Sequence, residues 1–267
     1  MIPYFPEPIF HAGWIAISAF SAAGAAAVAL SGWTVLKRGC HKDIPADPMF
    51  RMWFWMVAGA GLGAVAPSAV FPDVSGFLLH PLQALHHHFG FTSLGAICGG
   101  FLGGLLWSLY HRLPRFEIFR RLEVLAYTQP LTAMTGRLGC ALAHDHRGIA
   151  TTSWIAVQFP EGPRFDLGLL EFLFLAGLAI VFRILDRKPR REGFFLFWLA
   201  VAYTGCRLWL DTLRVNPSYA DVAVSAAFAM ASGIAMFMLR PRAAEISSQP
   251  RATILQPARV NRREDSQ

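Results

Sequence analysis

Long apolar stretches alternate with short polar segments along most of this chain. A helix needs about 20 apolar residues to cross a bilayer, and several stretches reach that length. The pattern predicts seven membrane helices, at residues 9–33, 50–71, 89–110, 123–142, 167–185, 194–213 and 221–238. The fourth contains Gln129, Pro130 and several threonines, so we expect it to be buried among the others. The sequence therefore predicts an all-α integral membrane protein with seven transmembrane helices.

The composition changes this picture little, but it excludes several classes of protein. Of the 267 residues, 54% are hydrophobic and 15% are charged, whereas a soluble domain carries about 25% charged residues. A soluble enzyme, a disordered chain and a disulfide scaffold are therefore excluded. The net charge of +7 is explained by loops beside a membrane, so we predict no nucleic-acid partner.

The distribution of basic residues predicts the orientation. Nineteen of the 24 Lys and Arg residues lie in the first, third and fifth loops and in the C-terminal tail, which the seven-helix pattern places on one side. None lies before Lys37 or within residues 71–110. Basic loops face the cytoplasm, so we expect the N terminus outside and the C terminus inside. Residues 1–240 would form the membrane domain, with a small outward head or lid at about 143–166, and residues 241–267 a basic, disordered cytoplasmic tail.

Five arginines fall in the predicted outward half: Arg137, Arg147, Arg164, Arg207 and Arg214. Arginine there is costly unless it is paired or lines a wet cavity. Arg207 and Asp211 share one helical face at i and i+4, and Arg214 follows at i+7. This spacing fits either an internal ion pair or an anion site. Arg137 and Arg207, on different helices, suit a phosphate because guanidinium groups bind it bidentately; in a bilayer the nearest phosphate belongs to a phospholipid.

Residues 136–148, GRLGCALAHDHRG, combine glycines with polar chemistry. Gly136 and Gly139 would let the backbone of a Gly-Arg-x-Gly turn approach a ligand closely. Asp145 lies between two histidines just beyond this turn. A polar segment then leads to the fifth helix, in which Glu171 lies about one turn inside the membrane.

The histidines leave a metal site open as an alternative. His and carboxylate groups are zinc ligands. The chain has two clusters of histidines, one at residues 144–146, which includes Asp145, and a triplet at residues 86–88. Adjacent histidines point in different directions, however, and no cysteine pair has metal-binding spacing. We therefore interpret the triplet as an interfacial polar rim, with headgroup binding or proton transfer as alternatives. The leading interpretation includes no metal and no cofactor.

These motifs resemble those of the prolipoprotein diacylglyceryl transferase family. The family's Gly-Arg-x-Gly-Asn signature is matched by residues 136–140, with Asp145 in place of a Glu and Gly148 closing the segment. The family's later Arg-x-x-x-Glu is matched by Arg207 and Asp211. The approach to the fifth helix and the Gly-rich third helix are also similar, at residues 163–171 and 90–100.

The resemblance implies a seven-span fold with the N terminus outside, and transfer of diacylglyceryl from phosphatidylglycerol to a cysteine thiol of a prolipoprotein signal peptide. It places the protein in the bacterial cytoplasmic membrane, with the site on the extracytoplasmic side. Arg137 and Arg207 would stabilise charge on the leaving phosphate, while Asp145 and Asp211 would orient these arginines or the acceptor. The expected substrate-binding residues are Gly136, Arg137, Gly139, Arg164, Glu171, Arg207 and Arg214, and the expected catalytic residues are His144, Asp145, His146 and Asp211.

The chain departs from the family at four places. The family's third-helix His is missing from Ser93-Leu94-Gly95, Cys140 replaces the signature Asn, both motif Glu residues are Asp, and a first-helix Tyr is Ala12. The phosphate-binding arginines are kept while the acid–base residues change. His144 or His146 would then supply the base, in a divergent member or paralogue that uses the same or a related acceptor.

Two other hypotheses stay open at this stage. The protein could be a non-enzymatic lipid-binding or lipid-moving protein of the same fold, which the missing third-helix His favours. It could also be a metal-dependent membrane hydrolase that uses His144, Asp145, His146 and the triplet.

Overall fold

The computed structural model describes residues 1–70 and 93–215, and the fold in these residues is mostly helical. The helices are α1 Ala19–His41, α2 Ala46–Val70, α3 Ser93–Tyr110, α4 Arg115–Ala143, α5 Leu167–Leu185 and α6 Phe194–Thr212. The strands are β1 Ile2–Pro3, β2 Ile9–Ala12, β3 Ile15–Ser18, β4 Arg147–Ala150, β5 Val157–Phe159 and β6 Gly162–Asp166. The expected seventh helix, the tail after residue 240 and the histidine triplet lie outside the described residues.

The first predicted helix is wrong over its N-terminal third. Residues 9–18 form an antiparallel hairpin of β2 and β3, in which Ile9 pairs with Ser18. Gly13 turns the chain with a φ of +62°, a conformation that glycine adopts without steric cost. Ser18 then caps α1, because its hydroxyl accepts a hydrogen bond from the Ser21 amide at 3.2 Å.

Glycines bring α2 and α3 into backbone contact. A Cβ on Gly99 would lie 2.2 Å from the carbonyl oxygen of Gly59, and one on Gly63 would lie 2.1 Å from that of Gly95. Small residues allow such close approach between membrane helices, where dispersion contacts replace the hydrophobic effect. The Gly-rich third helix therefore serves packing along this face.

The fourth helix lies inside the bundle, as its polar residues predict. It packs against α1 on one side and α5 on the other. Thr128, Pro130 and Thr132 are buried, and the hydroxyl of Thr128 donates to the Val124 carbonyl at 3.2 Å. Because backbone carbonyls satisfy these hydroxyls, the threonines can be buried, whereas Gln129 of the same helix is exposed, contrary to the prediction.

A four-stranded sheet, which we name the head sheet, covers one end of the bundle. Its order is β1-β5-β6-β4, with β1 parallel to β5 and the other pairs antiparallel. The prediction of an all-α protein is therefore wrong at this end, because short strands of mixed polarity carry a weak periodic signal. The sheet is fixed to α6 by a bridge between Gly148 and Arg214.

The opposite end of the bundle gathers basic loops. Arg38 at the end of α1 forms a two-bonded ion pair with Asp186 after α5, and its guanidinium lies 4.0 Å from the ring centroid of Tyr127. Glu123 on α4 accepts the amides of Phe195 and Leu196 at 2.9 Å each. These contacts fix the start of α6, whose N-cap residue is a glycine without a capping side chain.

The outer surface of the helices is apolar. Among the described residues, α1, α5 and α6 are long and apolar enough to cross a membrane. Leu62 is 75% exposed and Ile180 is 61% exposed. Apolar side chains of this size face outward when lipid, rather than water, surrounds a helix. The protein is therefore a membrane protein.

Candidate functional site

A buried carboxylate joins three helices just below the head sheet. Glu171, in the first turns of α5, is 2% exposed. Its Oε1 lies 3.1 Å from Nε of Arg137 on α4, and its Oε2 lies 3.3 Å from Nη1 of Arg207 on α6. The hydroxyl of Tyr203 donates to Oε1 at 2.9 Å. Glu171 therefore holds the two arginines that the sequence predicted to act together, although they lie 70 positions apart.

A second buried carboxylate extends this network along α6. Oδ1 of Asp211 lies 3.0 Å from Nε of Arg214 and 3.9 Å from Nε of Arg207. The ion pair expected from the i, i+4 spacing is thus shared between two arginines. Asp211 is 2% exposed, and its carboxylate contacts two guanidinium groups.

A cavity of about 230 Å³ opens between the head sheet and this network. Helical residues of α5 and α6 form its floor, and residues that follow α4 form its wall. Its polar lining combines carboxylate, imidazole and guanidinium groups. The lining residues are Asp145, His146, Arg147, Leu167, Glu171, Arg207, Leu210, Arg214 and Val215.

The charges of the network suit an anion. Arg137, Arg207 and Arg214 are compensated by two buried carboxylates, Glu171 and Asp211, so these five groups carry a net charge of +1. A guanidinium has five N–H donors, and the contacts with Glu171 use only part of them. Arg207 and Arg214, which line the cavity, therefore keep donors for a monoanionic phosphodiester while they stay paired with Glu171 and Asp211.

His144 lies apart from the cavity, contrary to the role expected for it. It is 5% exposed, and its Nδ1 lies 2.5 Å from Oδ2 of Asp166. The rings of Tyr4, Phe5 and Phe159 surround it, with centroids 4.9–5.6 Å away. His144 adopts a left-handed φ of +51° at the end of α4, which separates its side chain from the next two. It therefore connects α4 to the head sheet.

The glycines of the expected ligand-binding turn have packing roles instead. Residues 136–140 lie within the last turns of α4, not in a turn after it. A Cβ on Gly139 would lie 2.9 Å from Cβ of Ala23 on α1, while Gly136 has only an ordinary contact with Ala27. Gly139 thus allows α1 to approach α4. The expectation that these two glycines contact a ligand receives no support from this geometry.

Arg164 lies on the head sheet and not in the cavity lining. Its Nη1 donates to the carbonyl of Gly148 at 3.5 Å, which links β6 to β4. Arg147 lines the cavity, although we did not predict it to bind substrate or to act in catalysis. Its Nη1 lies 3.1 Å from Oε1 of Glu161. Of the two arginines of the head, Arg147 therefore lines the cavity and Arg164 does not.

Sequence reasoning missed Tyr203 and Cys140 as parts of the site. Tyr203 lies one turn before Arg207, and that spacing on α6 was the available signal. The Sγ of Cys140 lies 3.7 Å from Nη1 of Arg137. Its place three residues after Arg137 puts it on the same helical face.

Comparison with known proteins assigns the chain to a family. A sequence profile described as prolipoprotein diacylglyceryl transferase matches residues 7–242. The chain belongs to the prolipoprotein diacylglyceryl transferase family. The match includes all six described helices and the head sheet except β1, so the site described above lies wholly within it.

Two curated relatives of this family are similar at low identity. One is phosphatidylglycerol–prolipoprotein diacylglyceryl transferase 2 of Clostridium perfringens, 24% identical over 202 residues, or 68% of this chain and 73% of the relative. The other is phosphatidylglycerol–prolipoprotein diacylglyceryl transferase of Treponema denticola, 29% identical over 167 residues, or 53% of this chain and 47% of the relative. The second similarity thus spans about half of each protein.

A glycine stands at the position where the family resemblance led us to expect a third-helix histidine. The matching position is Gly95, near the start of α3, and its carbonyl oxygen is in the tight contact with Gly63 of α2. Gly95 therefore has no side chain at a point where α2 and α3 lie close together. Within the described residues, the imidazole that lies on the cavity is His146.

Proposed function

We propose that the protein is a phospholipid-dependent transferase that moves diacylglyceryl from phosphatidylglycerol to the cysteine thiol of a prolipoprotein. The observation that carries this proposal is the bridge of Glu171 between Arg137 and Arg207 at a polar cavity. The five charged groups of the network carry a net charge of +1, which compensates the single negative charge of a phosphodiester. The names of both relatives contain phosphatidylglycerol as donor and prolipoprotein as acceptor.

The lipid phosphate would bind against Arg207 and Arg214, which both line the cavity. Arg137 would act from behind Glu171 by fixing the carboxylate that orients Arg207. When the bond between the glyceryl carbon and the phosphate oxygen breaks, the released glycerol phosphate gains negative charge. Guanidinium groups already held in place stabilise that charge without reorganisation.

The acceptor thiol would lose its proton to a group on the cavity wall. Asp145 and His146 both line the cavity, and carboxylate and imidazole groups are the side chains that most often act as general bases. The sulfur then forms a bond to the glyceryl carbon as the carbon–oxygen bond breaks, and the proton leaves to solvent. The products are a thioether-linked lipid and glycerol phosphate, so atoms and charges balance.

The head sheet would face the extracytoplasmic side of a bacterial cytoplasmic membrane. Arg38, Lys42 and Arg120 lie at the opposite end of the bundle, and basic residues that flank membrane helices remain in the cytoplasm. This orientation gives the cavity access to outer-leaflet lipid and to a translocated signal peptide.

The proposal is tested with purified protein in phosphatidylglycerol vesicles and a peptide that carries a lipoprotein-signal cysteine. Mass spectrometry should detect a peptide that has gained diacylglyceryl, and Arg207→Ala should lose at least about 100-fold in rate. Arg183→Ala, an exposed substitution at the opposite end of α5, should retain the wild-type rate.

Two results would contradict the proposal. One is wild-type transfer by Arg207→Ala. The other is saturable binding of phosphatidylglycerol by a folded protein that transfers no lipid, which would favour the non-enzymatic lipid-binding hypothesis. Rescue of a bacterial strain depleted of its own transferase would support the proposal in cells.

A further inference from the structure

Three metal-ligating side chains meet where α4 passes into the head. Atoms of Cys140, Asp145 and His146 that can each bind a metal all lie within 4.8 Å of one another. Nδ1 of His146 and Oδ1 of Asp145 are 3.6 Å apart. Cys140 is buried in the last turn of α4, whereas the other two side chains are exposed to the cavity. One sulfur, one carboxylate and one imidazole thus converge from a short segment of chain.

We propose that Cys140, Asp145 and His146 bind a divalent transition-metal ion, for which zinc is the best match. Zinc takes thiolate sulfur at about 2.3 Å and His nitrogen or carboxylate oxygen at about 2.0–2.2 Å. In a tetrahedral site the ligand atoms then lie about 3.4 Å apart. The ligand atoms lie within 4.8 Å of one another, which exceeds this value by at most about 1.4 Å, a distance that rotation of the two exposed side chains can close.

Arg137 is the charged neighbour of Cys140. Its Nη1 lies 3.7 Å from Sγ, and this positive charge offsets part of the cost of a buried thiolate. The thiolate and the Asp145 carboxylate would then compensate the two charges of the metal ion. The net charge of the arginine and carboxylate network stays as described above.

The structure selects this set over the one considered from the sequence. His144 directs Nδ1 towards Asp166 and lies among aromatic rings, so it is excluded from the group. Cys140 takes its place because position 140 is one helical turn before the end of α4. The resulting spacing of ligands, at 140, 145 and 146, has no motif that sequence analysis would detect.

Three protein ligands leave the fourth position of a tetrahedral ion open, which is typical of a catalytic rather than a structural zinc site. That position would face the cavity, because Asp145 and His146 line it. If the proposed transferase function holds, Asp145 and His146 would act in it as ligands of the metal rather than as proton acceptors, and the open position would take the acceptor sulfur as a thiolate while its proton passes to solvent. Metal binding itself does not depend on that function.

The test is the metal content of the full-length protein purified in detergent without chelators. After zinc is added and excess is removed, elemental analysis should find about one zinc per wild-type chain. Cys140→Ser and His146→Gln should each lose most of it. Cys206→Ser, at a buried cysteine on α6 outside the cluster, and His111→Gln, at the opposite end, should keep it.

Cobalt gives a second readout that reports the ligands directly. Co²⁺-loaded wild-type protein should show a sulfur-to-cobalt charge-transfer band and tetrahedral d–d bands, and Cys140→Ser should lose the former. Thermal unfolding of each variant checks that it is folded. Zinc that remains in Cys140→Ser, or a wild-type protein that takes up no stoichiometric zinc, would overturn the proposal. Neither measurement uses lipid transfer, so failure here leaves the transferase proposal to its own assay.

Discussion

Oε1 of Glu171 lies 3.1 Å from Nε of Arg137 between α4 and α5; the carboxylate is buried and the arginine side chain is 13% exposed. A buried carboxylate without a cation, or a buried cation without a carboxylate, is strongly unfavourable. Since the other oxygen of Glu171 pairs with Arg207, one side chain controls the position of two guanidinium groups. Glu171 is therefore a positioning residue for the proposed phosphate site, not a group that must contact substrate.

Glu171→Gln should lower kcat about 100-fold, because a displacement of about 1 Å in a positioning network costs that much. The KM for phosphatidylglycerol should change much less than kcat. Removing one partner of a buried ion pair should also lower the free energy of unfolding by about 3 kcal/mol. Steady-state lipid transfer and thermal unfolding in detergent measure these effects.

Glu171→Asp keeps the charge with a shorter side chain and should recover part of the activity. Glu192→Gln, at the opposite end of the bundle, is the control and should behave nearly as wild type, because its solvent-accessible ion pair with Lys42 contributes little. Equal loss of activity in the Asp and Gln variants would show that a negative charge at this position is not sufficient to hold the arginines in place.

Tyr203→Phe removes the hydroxyl that donates to Glu171 at 2.9 Å. A hydrogen bond to a charged group contributes about 1.5–3 kcal/mol, so unfolding should become easier by about that amount. Turnover should fall about tenfold, which corresponds to 1.4 kcal/mol in the barrier. Tyr127→Phe, on α4 near the basic end, provides the matched control. Unchanged stability in Tyr203→Phe would argue against the hydrogen bond.

His144→Gln should affect stability more than catalysis. The substitution weakens the contact with Asp166 and leaves polar atoms among aromatic rings, at a cost of about 1–3 kcal/mol. The kcat of the folded fraction should stay within about threefold of wild type, since surroundings outside a site rarely change chemistry more. Asp145→Asn, by contrast, should abolish turnover. If His144→Gln lost turnover at an unchanged melting temperature, His144 would instead have the catalytic role expected from the sequence.

Gly99→Ala should separate α2 from α3. The added Cβ would lie 2.2 Å from the carbonyl oxygen of Gly59, and backbone cannot move aside as a side chain does. Overpacking costs about 1–3 kcal/mol, so the melting temperature in detergent should fall. Gly61→Ala, on the same helix as Gly59 but with open space around its Cβ, should have no such effect. Equal melting temperatures for the two variants would exclude the backbone contact.

The proposed orientation can be tested by labelling intact cells. Trp154 is 79% exposed between strands of the head, and Cys40 is exposed at the basic end of α1. A membrane-impermeant maleimide should label Trp154→Cys in intact spheroplasts but should label Cys40 only after permeabilisation. Peptide mass spectrometry quantifies each position. Labelling of Cys40 in sealed cells would reverse the orientation.

The fifth helix, predicted at about residues 167–185, agrees with α5, because its apolar run is long and is interrupted by only two charged residues, Glu171 and Arg183. The prediction fails at residues 9–18, where an equally apolar run forms a hairpin. Apolarity by itself does not distinguish strand from helix. The turn at Gly13 provided a local signal, since glycine inside an apolar stretch often marks a reversal.

The arginines of the site could be predicted from the sequence, because a cation within a membrane helix is unfavourable unless it is paired or lines a wet cavity. Their partner Glu171 was placed near them, but spacing reveals neighbours only along one helix, so the bridge between three helices required the structure. The same limit hid the convergence of Cys140 with Asp145 and His146. That convergence depends on the left-handed conformation of His144, which local sequence does not specify for a histidine.

The bridge between Gly148 and Arg214 gives the head a mechanical connection to the chemistry beneath it. Strand β4 pairs with the same short stretch of backbone that carries Arg214, and the amide of Ile149 donates to the Leu213 carbonyl at 2.9 Å. If the head tilted to admit a bulky lipid, this stretch would be pulled with it. Arg214 would then shift relative to Asp211, so admission of a substrate and tuning of the local electric field would occur as a single motion.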